Sequence, residues 1–277
     1  MQSTIRIDLC CAVLVAFAIV GLPAQAISPL PQAPSCDPQL TSLPPVSLAQ
    51  RLTQLDHNAW GANCVISEFG RRGKEAATAV PELIKLMNEP GATAETVGNA
   101  IAASARIGDA AASTVPEMTR FAASEDEHTA SMAMWGLYYI GKSAAPAIPA
   151  LAQIALSGDT SPSSLEMKNY AAMTLGKLGQ YNPGVAGPYL SKLANRSGLI
   201  GGTCEGIQWM GASAKPWAPE LEPILNHALV DVLRQEAEAT PTGNPAEKST
   251  TAFILAHNLE DEITKALAIL SDDAHKK

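Results

Sequence analysis

The sequence contains few charged and few aromatic residues, and its charge balance excludes one class of partner. Charged residues make up 17% and aromatic residues 5% of the 277 positions, and the formal net charge is −8. An acidic chain is repelled by phosphate backbones and by anionic membrane surfaces. We therefore expect no nucleic-acid partner.

The motifs that usually carry catalytic or metal chemistry are also missing. None of the five histidines has a second histidine four residues away, so there is no HExxH metal motif. The chain lacks a GxSxG nucleophile elbow, a phosphate loop and a dinucleotide fingerprint. Asp56–His57 and Glu125–His128 resemble catalytic or metal-binding runs, but both open a predicted helix, where acidic residues cap the end and favour its dipole. We expect no catalytic residue, no metal and no cofactor.

The first 26 residues have the pattern of a signal peptide. Arg6 precedes an apolar run over residues 9–21 that is short for a membrane span, and Ala24–Ala26 supplies a small-x-small cleavage pattern. We therefore expect cleavage near Ala26 and export to the periplasm or the extracellular space. No later apolar segment approaches 20 residues, so we expect no membrane span in the mature chain.

Three cysteines remain after this cleavage: Cys36, Cys64 and Cys204. Exported proteins can form disulfides, and we predict a Cys36–Cys64 bond that ties a proline-rich, extended leader, residues 27–46, to the first repeat helix. Cys204 would then be a small buried residue on a helix.

A glycine followed eight residues later by a proline recurs along the chain. Three copies have this spacing, and two further copies are longer: Gly108–Pro116, Gly141–Pro149, Gly211–Pro219, then Gly70–Pro81 and Gly179–Pro188. Apolar residues stand one and four positions before most of these glycines and two and five positions after each proline. Glycine suits a helix end and proline a first turn, so each unit predicts a first helix before the glycine and a second helix from the proline.

This pattern is similar to HEAT repeats, and closest to the HEAT-like repeats first described in phycobilisome lyases. The segments 171–179 (AAMTLGKLG) and 79–83 (AVPEL) carry the resemblance. It implies an all-α fold, a right-handed α-solenoid of about five HEAT-like helix pairs over residues 47–226. Residues 227–277 would supply a C-terminal helical cap and tail, with a last helix from about Asn244 to Leu270. No lyase residue is implied, because the motif is structural.

Two sets of equivalent positions are candidate binding residues. Four positions after the prolines stand Lys85, Arg120, Gln153 and Lys192, which we name the +4 ladder. Such a ladder could hold an acidic peptide or a carboxylate ligand, or its members could only form local ion pairs such as Glu82–Lys85 and Glu117–Arg120. Two positions before the glycines stand Glu68, Arg106, Tyr139, Lys177 and Trp209. Of these, Tyr139 and Trp209 are candidate binding anchors, or else packing residues between repeats.

These features favour an exported protein-binding or scaffolding module with a protein or peptide partner, which the +4 ladder suggests is acidic. One alternative is a lyase-like enzyme or the regulatory subunit of an exported enzyme, which would need a cluster such as His128, Cys204 and a carboxylate in one cleft. The other alternative is a structural cell-envelope protein with no discrete ligand.

Overall fold

The computed structural model describes residues 36–158, 162–196, 198–239 and 251–271, and every regular element in these ranges is helical. The predicted signal peptide, the first part of the predicted leader and the tail after residue 271 lie outside them. Residues 1–35 and 36–277 form separate units, and the second unit is described alone. Its α-helices are α1 Pro45–Leu52, α2 Trp60–Arg72, α3 Val80–Met87, α4 Ala94–Ile107, α5 Val115–Phe121, α6 Glu127–Ile140, α7 Ile148–Ala155, α8 Pro162–Gly179, α9 Pro183–Ala194, α10 Ile200–Met210, α11 Ala218–Ala239 and α12 Thr251–Leu270.

The repeated glycine ends the first helix in four units by adopting a backbone conformation that other residues avoid. The four are Gly73, Gly108, Gly141 and Gly211, with φ of 57°, 73°, 75° and 55°. Their ψ values are strongly negative, in a region open essentially to glycine alone. A 3-10 helix of 7 residues begins at each glycine, and the next α-helix carries proline in its first turn.

Two predicted boundaries are wrong, for identifiable reasons. Helix α2 continues through Gly70 to Arg72, and Gly73 makes the turn, so the first unit has the same eight-residue spacing to its proline, Pro81, as the units of Gly108, Gly141 and Gly211. In the fourth unit, Pro188 lies inside α9 and does not begin it. Pro183, five residues earlier, takes the first-turn position there.

The predicted apolar positions form the core of an all-α solenoid. The first helices α2, α4, α6, α8, α10 and finally α12 pack side by side in a row, and the second helices α3, α5, α7, α9 and α11 pack against this row. The residues two positions after the prolines are fully buried: Leu83, Met118, Leu151, Leu190 and Leu221. Each unit thus buries its apolar face against its neighbours, as a stacked repeat must.

The N-terminal end of the row is covered by a folded segment, which corrects the prediction of an extended leader up to residue 46. Residues Pro38–Ser42 form a 3-10 helix, and Leu40 is buried. The predicted disulfide between Cys36 and Cys64 is present, and its Cα atoms are 5.6 Å apart. The Arg72 guanidinium also donates hydrogen bonds to backbone carbonyls of this segment, including that of Leu40 at 2.8 Å.

At the other end, α11 and α12 pack together as the predicted cap. Helix α12 ends at Leu270 as predicted, whereas its predicted start near Asn244 lies outside the described residues. Among the helices described, none combines the length and the apolar character that crossing a membrane requires.

Candidate binding surface

The +4 ladder lies on the surface, as predicted, but its charged members have neighbours on their own second helix or at the end of the second helix before it. Lys85 Nζ contacts Glu82 at 2.7 Å. The predicted Glu117–Arg120 pair is absent, because Arg120 instead donates to Asn88 Oδ1 at 2.9 Å. These contacts favour the local alternative for Lys85 and Arg120.

The remaining ladder members are also exposed. Arg120 lies 4.1 Å from the centroid of the neighbouring Phe121 ring, and Lys192 Nζ lies 5.8 Å from that of Tyr189. Gln153 is exposed on α7 between them. The ladder is thus a set of solvated side chains on separate second helices, and it surrounds no cavity that we observe in the described ranges.

Four aromatic side chains instead form a continuous surface on the row of first helices, which we name the aromatic shelf: Trp135, Tyr138, Tyr139 and Trp209. Trp135 and Tyr139 stack with centroids 5.5 Å apart, and Tyr138 meets Trp209 edge-on at 5.3 Å. The shelf therefore joins α6 to α10 across α8. Tyr139 is 60% exposed and Trp209 43% exposed. A large part of each of these two candidate anchors is therefore accessible to a partner and is not buried by packing between repeats.

Lys177 of α8 lies between the rings that join the two helices. Its Nζ is 3.9 Å from the Trp209 centroid and 5.2 Å from the Tyr138 centroid, which are cation–π distances. Burial against these rings lowers the pKa of Lys177. Burial, with the nearby Tyr139 and Glu205, raises the pKa of Tyr138 to about 12, so its hydroxyl stays protonated at neutral pH.

A recess of about 410 Å³ opens beside the shelf, between α4 and α6. Small residues create its depth, since Ala102, Ala105 and Gly136 form part of its wall, and Arg106 lies in the wall with Tyr139. A Cβ on Gly136 would approach Ile101 Cγ2 to 2.8 Å, so the glycine lets α6 sit close to its neighbours. The recess can receive an apolar side chain next to a guanidinium.

A second recess of about 270 Å³, which we name the acidic recess, lies between α8 and α10. It is lined by Glu166, Asn169, Tyr170, Met173, Gly201, Gly202 and Glu205. Asn169 fixes this wall by donating to Gly198 O at 2.8 Å and accepting from Gly202 N at 2.9 Å. Burial, and then the charge of Glu262 on α12, raise the pKa of Glu205.

The runs that resembled catalytic or metal sites have structural contacts. His57 contacts Glu89 through Nδ1 and Leu52 O through Nε2 at 3.1 Å. Asp126 caps α6 by accepting from Thr129, as predicted, and these hydrogen bonds lower the pKa of Asp126. Asp56 makes a turn with Asn58 and does not cap α2, whose N-cap is Ala59.

The convergence that the enzymatic alternative requires is not seen among the described residues. His128 lies on α6, where its ring faces Gly98 of α4. Cys204 is fully buried in α10, and α8 separates α10 from α6 in the row of first helices. A different cluster escaped the sequence analysis because it joins two helices. His257 Nδ1 of α12 lies 3.2 Å from Glu236 Oε1 of α11 and 3.3 Å from Glu260 Oε2. The contact between His257 and Glu236 joins α12 to α11 at the C-terminal cap.

Comparison with known proteins gives no family for this chain. No family model matches this sequence, and no curated protein matches it. Among solved structures, the chain is similar to "Designed armadillo repeat protein YIII(Dq)4CqI", with a TM-score of 0.49 and 16% identity, over 83% of this chain and 100% of that chain. The order and packing of its own helices show that the described part of the chain is a helical-repeat solenoid. The finer resemblance to HEAT-like repeats rests on the sequence pattern.

Proposed function

We propose that this chain is an exported HEAT-like repeat protein that binds or scaffolds a protein or peptide partner through the aromatic shelf. The observation that carries the proposal is the continuity of exposed rings from different units, with Tyr139 on α6 and Trp209 on α10. Tyrosine and tryptophan are the side chains most enriched in interface hot spots. Exposed rings beside an apolar recess form a contiguous apolar surface, and such surfaces mark sites where a partner binds and displaces water.

The proposal moves the contact surface from the +4 ladder to the row of first helices. Lys85 and Arg120 are engaged locally, whereas the shelf presents fixed rings next to two recesses. Export to the periplasm or extracellular space, with cleavage near Ala26, belongs to the proposal. The Cys36–Cys64 disulfide supports it, because such bonds persist in oxidising compartments.

The proposal is tested by affinity capture from a cell-envelope extract with three forms of the protein. One is unchanged, one carries Tyr139→Ala with Trp209→Ala, and one reverses the ladder charges through Lys85→Glu, Arg120→Glu and Lys192→Glu. Equal melting temperatures establish that all three are folded. We expect the shelf form to lose the captured partner and the ladder form to retain it. The opposite result, or equal capture by all three, would contradict the proposal.

A further inference from the structure

We infer that the partner segment is cationic, with a lysine or arginine side chain in the acidic recess and its neighbours on the aromatic shelf. This inference rests on the proposed function and reverses the acidic partner that the sequence suggested. It follows from three observations on α8 and α10: the continuity of the recess with the shelf, the charge of the recess, and the chemistry of its walls.

The recess and the shelf form one surface because the same two helices line both. On α10, Glu205 of the recess stands four residues before Trp209 of the shelf. On α8, Met173 of the recess stands four residues before Lys177, whose amine lies on the shelf rings. Residues four apart are neighbours on one helix face, so a short extended segment can reach both places.

The lining of the recess is acidic. Glu205 is half-buried and, within the ranges that the structure describes, has neither an ion-pair nor a hydrogen-bond partner. Glu166 contributes a second carboxylate to the lining, and Glu262 of α12, which is itself paired with Lys265 at 3.4 Å, lies near Glu205. Partly buried like charges repel, and a cation placed among them removes that cost.

The walls suit the rest of a long basic side chain. Tyr170 and Met173 offer apolar surface to an alkyl stem, while the charged end reaches Glu205. The shelf already holds a cation, since the Lys177 ammonium lies 3.9 Å from the Trp209 centroid.

The test uses three blocked hexapeptides that are identical except for a central lysine, norleucine or glutamate. Each is titrated onto the purified protein and followed by tryptophan fluorescence. We expect the lysine peptide to bind most tightly and Glu205→Gln to weaken it about ten-fold, the effect of losing one useful ion pair. The matched control Glu220→Gln, at an exposed position on α11, should change nothing.

A second variant, Lys177→Met, distinguishes a cationic partner from an acidic one, because it should change the affinity for the lysine peptide and for the glutamate peptide in opposite directions. Removing this like charge should strengthen binding of the lysine peptide. If the glutamate peptide binds best and Lys177→Met weakens it, the partner is acidic and the inference fails, although the shelf remains the contact surface. Equal behaviour of the lysine and norleucine peptides, including no binding by either, also overturns the inference. The proposed function is judged separately, by capture with the shelf variant.

Discussion

Gly176 of α8 and Gly206 of α10 lie so close that a Cβ on Gly176 would be 2.1 Å from the Cα of Gly206. No real side-chain carbon tolerates this distance from backbone, so the two helices touch through their main chains. This approach places Lys177 and Trp209, one and three residues farther on, within cation–π distance.

Gly176→Ala should therefore destabilise the protein by about 1–3 kcal/mol or more, since the helices must separate. Gly184→Ala is a matched control in α9, because its Cβ would meet nothing within 4 Å. The control should be neutral, or stabilising by up to about 1 kcal/mol, since alanine is the better helix former. Urea unfolding measures both. Equal stability of the two variants would contradict the backbone contact.

The Cys36–Cys64 bond should stabilise the N-terminal segment against the first helix pair. Removing it by Cys36→Ser with Cys64→Ser should cost about 2–4 kcal/mol. Mass mapping without reduction should find the two peptides joined. Free thiols at both positions, or an unfolding midpoint unchanged by reduction, would refute this prediction.

Glu68 should contribute stability that depends on pH. Hydrogen bonds from Arg71 lower the pKa of this nearly buried carboxyl to about 2, against the opposing effect of burial, and Arg72 adds to the lowering. The unfolded chain takes up this proton near the ordinary value of 4.5. The contribution is therefore complete above that pH and is lost as the pH falls towards 2.

The variant Glu68→Gln should accordingly be less stable than the native protein at pH 7, by up to about 3 kcal/mol. The difference should shrink between pH 4.5 and 2 in urea titrations at successive pH values. Glu75→Gln, which removes one negative charge at an exposed position nearby, is the matched control variant. A difference for Glu68→Gln that does not vary with pH would contradict the ion-pair account.

Cys204 should be unreactive while the protein is folded. Burial, together with Glu262 and Glu205, raises the pKa of this thiol to about 12, so almost no thiolate exists at pH 8. Iodoacetamide should label Cys204 in urea and not in buffer, as mass spectrometry would show. Rapid labelling of the folded protein would mean that Cys204 is accessible.

The repeat could be predicted from the sequence because its signals are local. Proline fixes the first turn of the second helices, and the buried residue two positions later keeps this spacing even in α9, where Pro188 is internal. The error at Gly70 has a physical origin, since two glycines stand three residues apart and only backbone angles show that Gly73 makes the turn.

The candidate binding surface could be predicted only in part. Tyr139 and Trp209 could be singled out because they occupy equivalent positions before a glycine. The contacts of Tyr138 with both of these rings, and the acidic recess beside them, depend on how closely α8 packs against α10. The sequence does not show that distance. The local contacts of the +4 ladder could not be predicted, because the sequence shows periodic charge but not the nearby hydrogen-bond acceptor, which for Arg120 is Asn88.

The central claim is that a partner rests on the aromatic shelf, and site-specific photo-crosslinking tests it most directly. A benzoylphenylalanine placed at Tyr139 should form a covalent adduct with one protein partner in cells. The same group at Gln153, exposed on α7 in the +4 ladder, should form none. Adducts from Gln153 and not from Tyr139 would contradict the account.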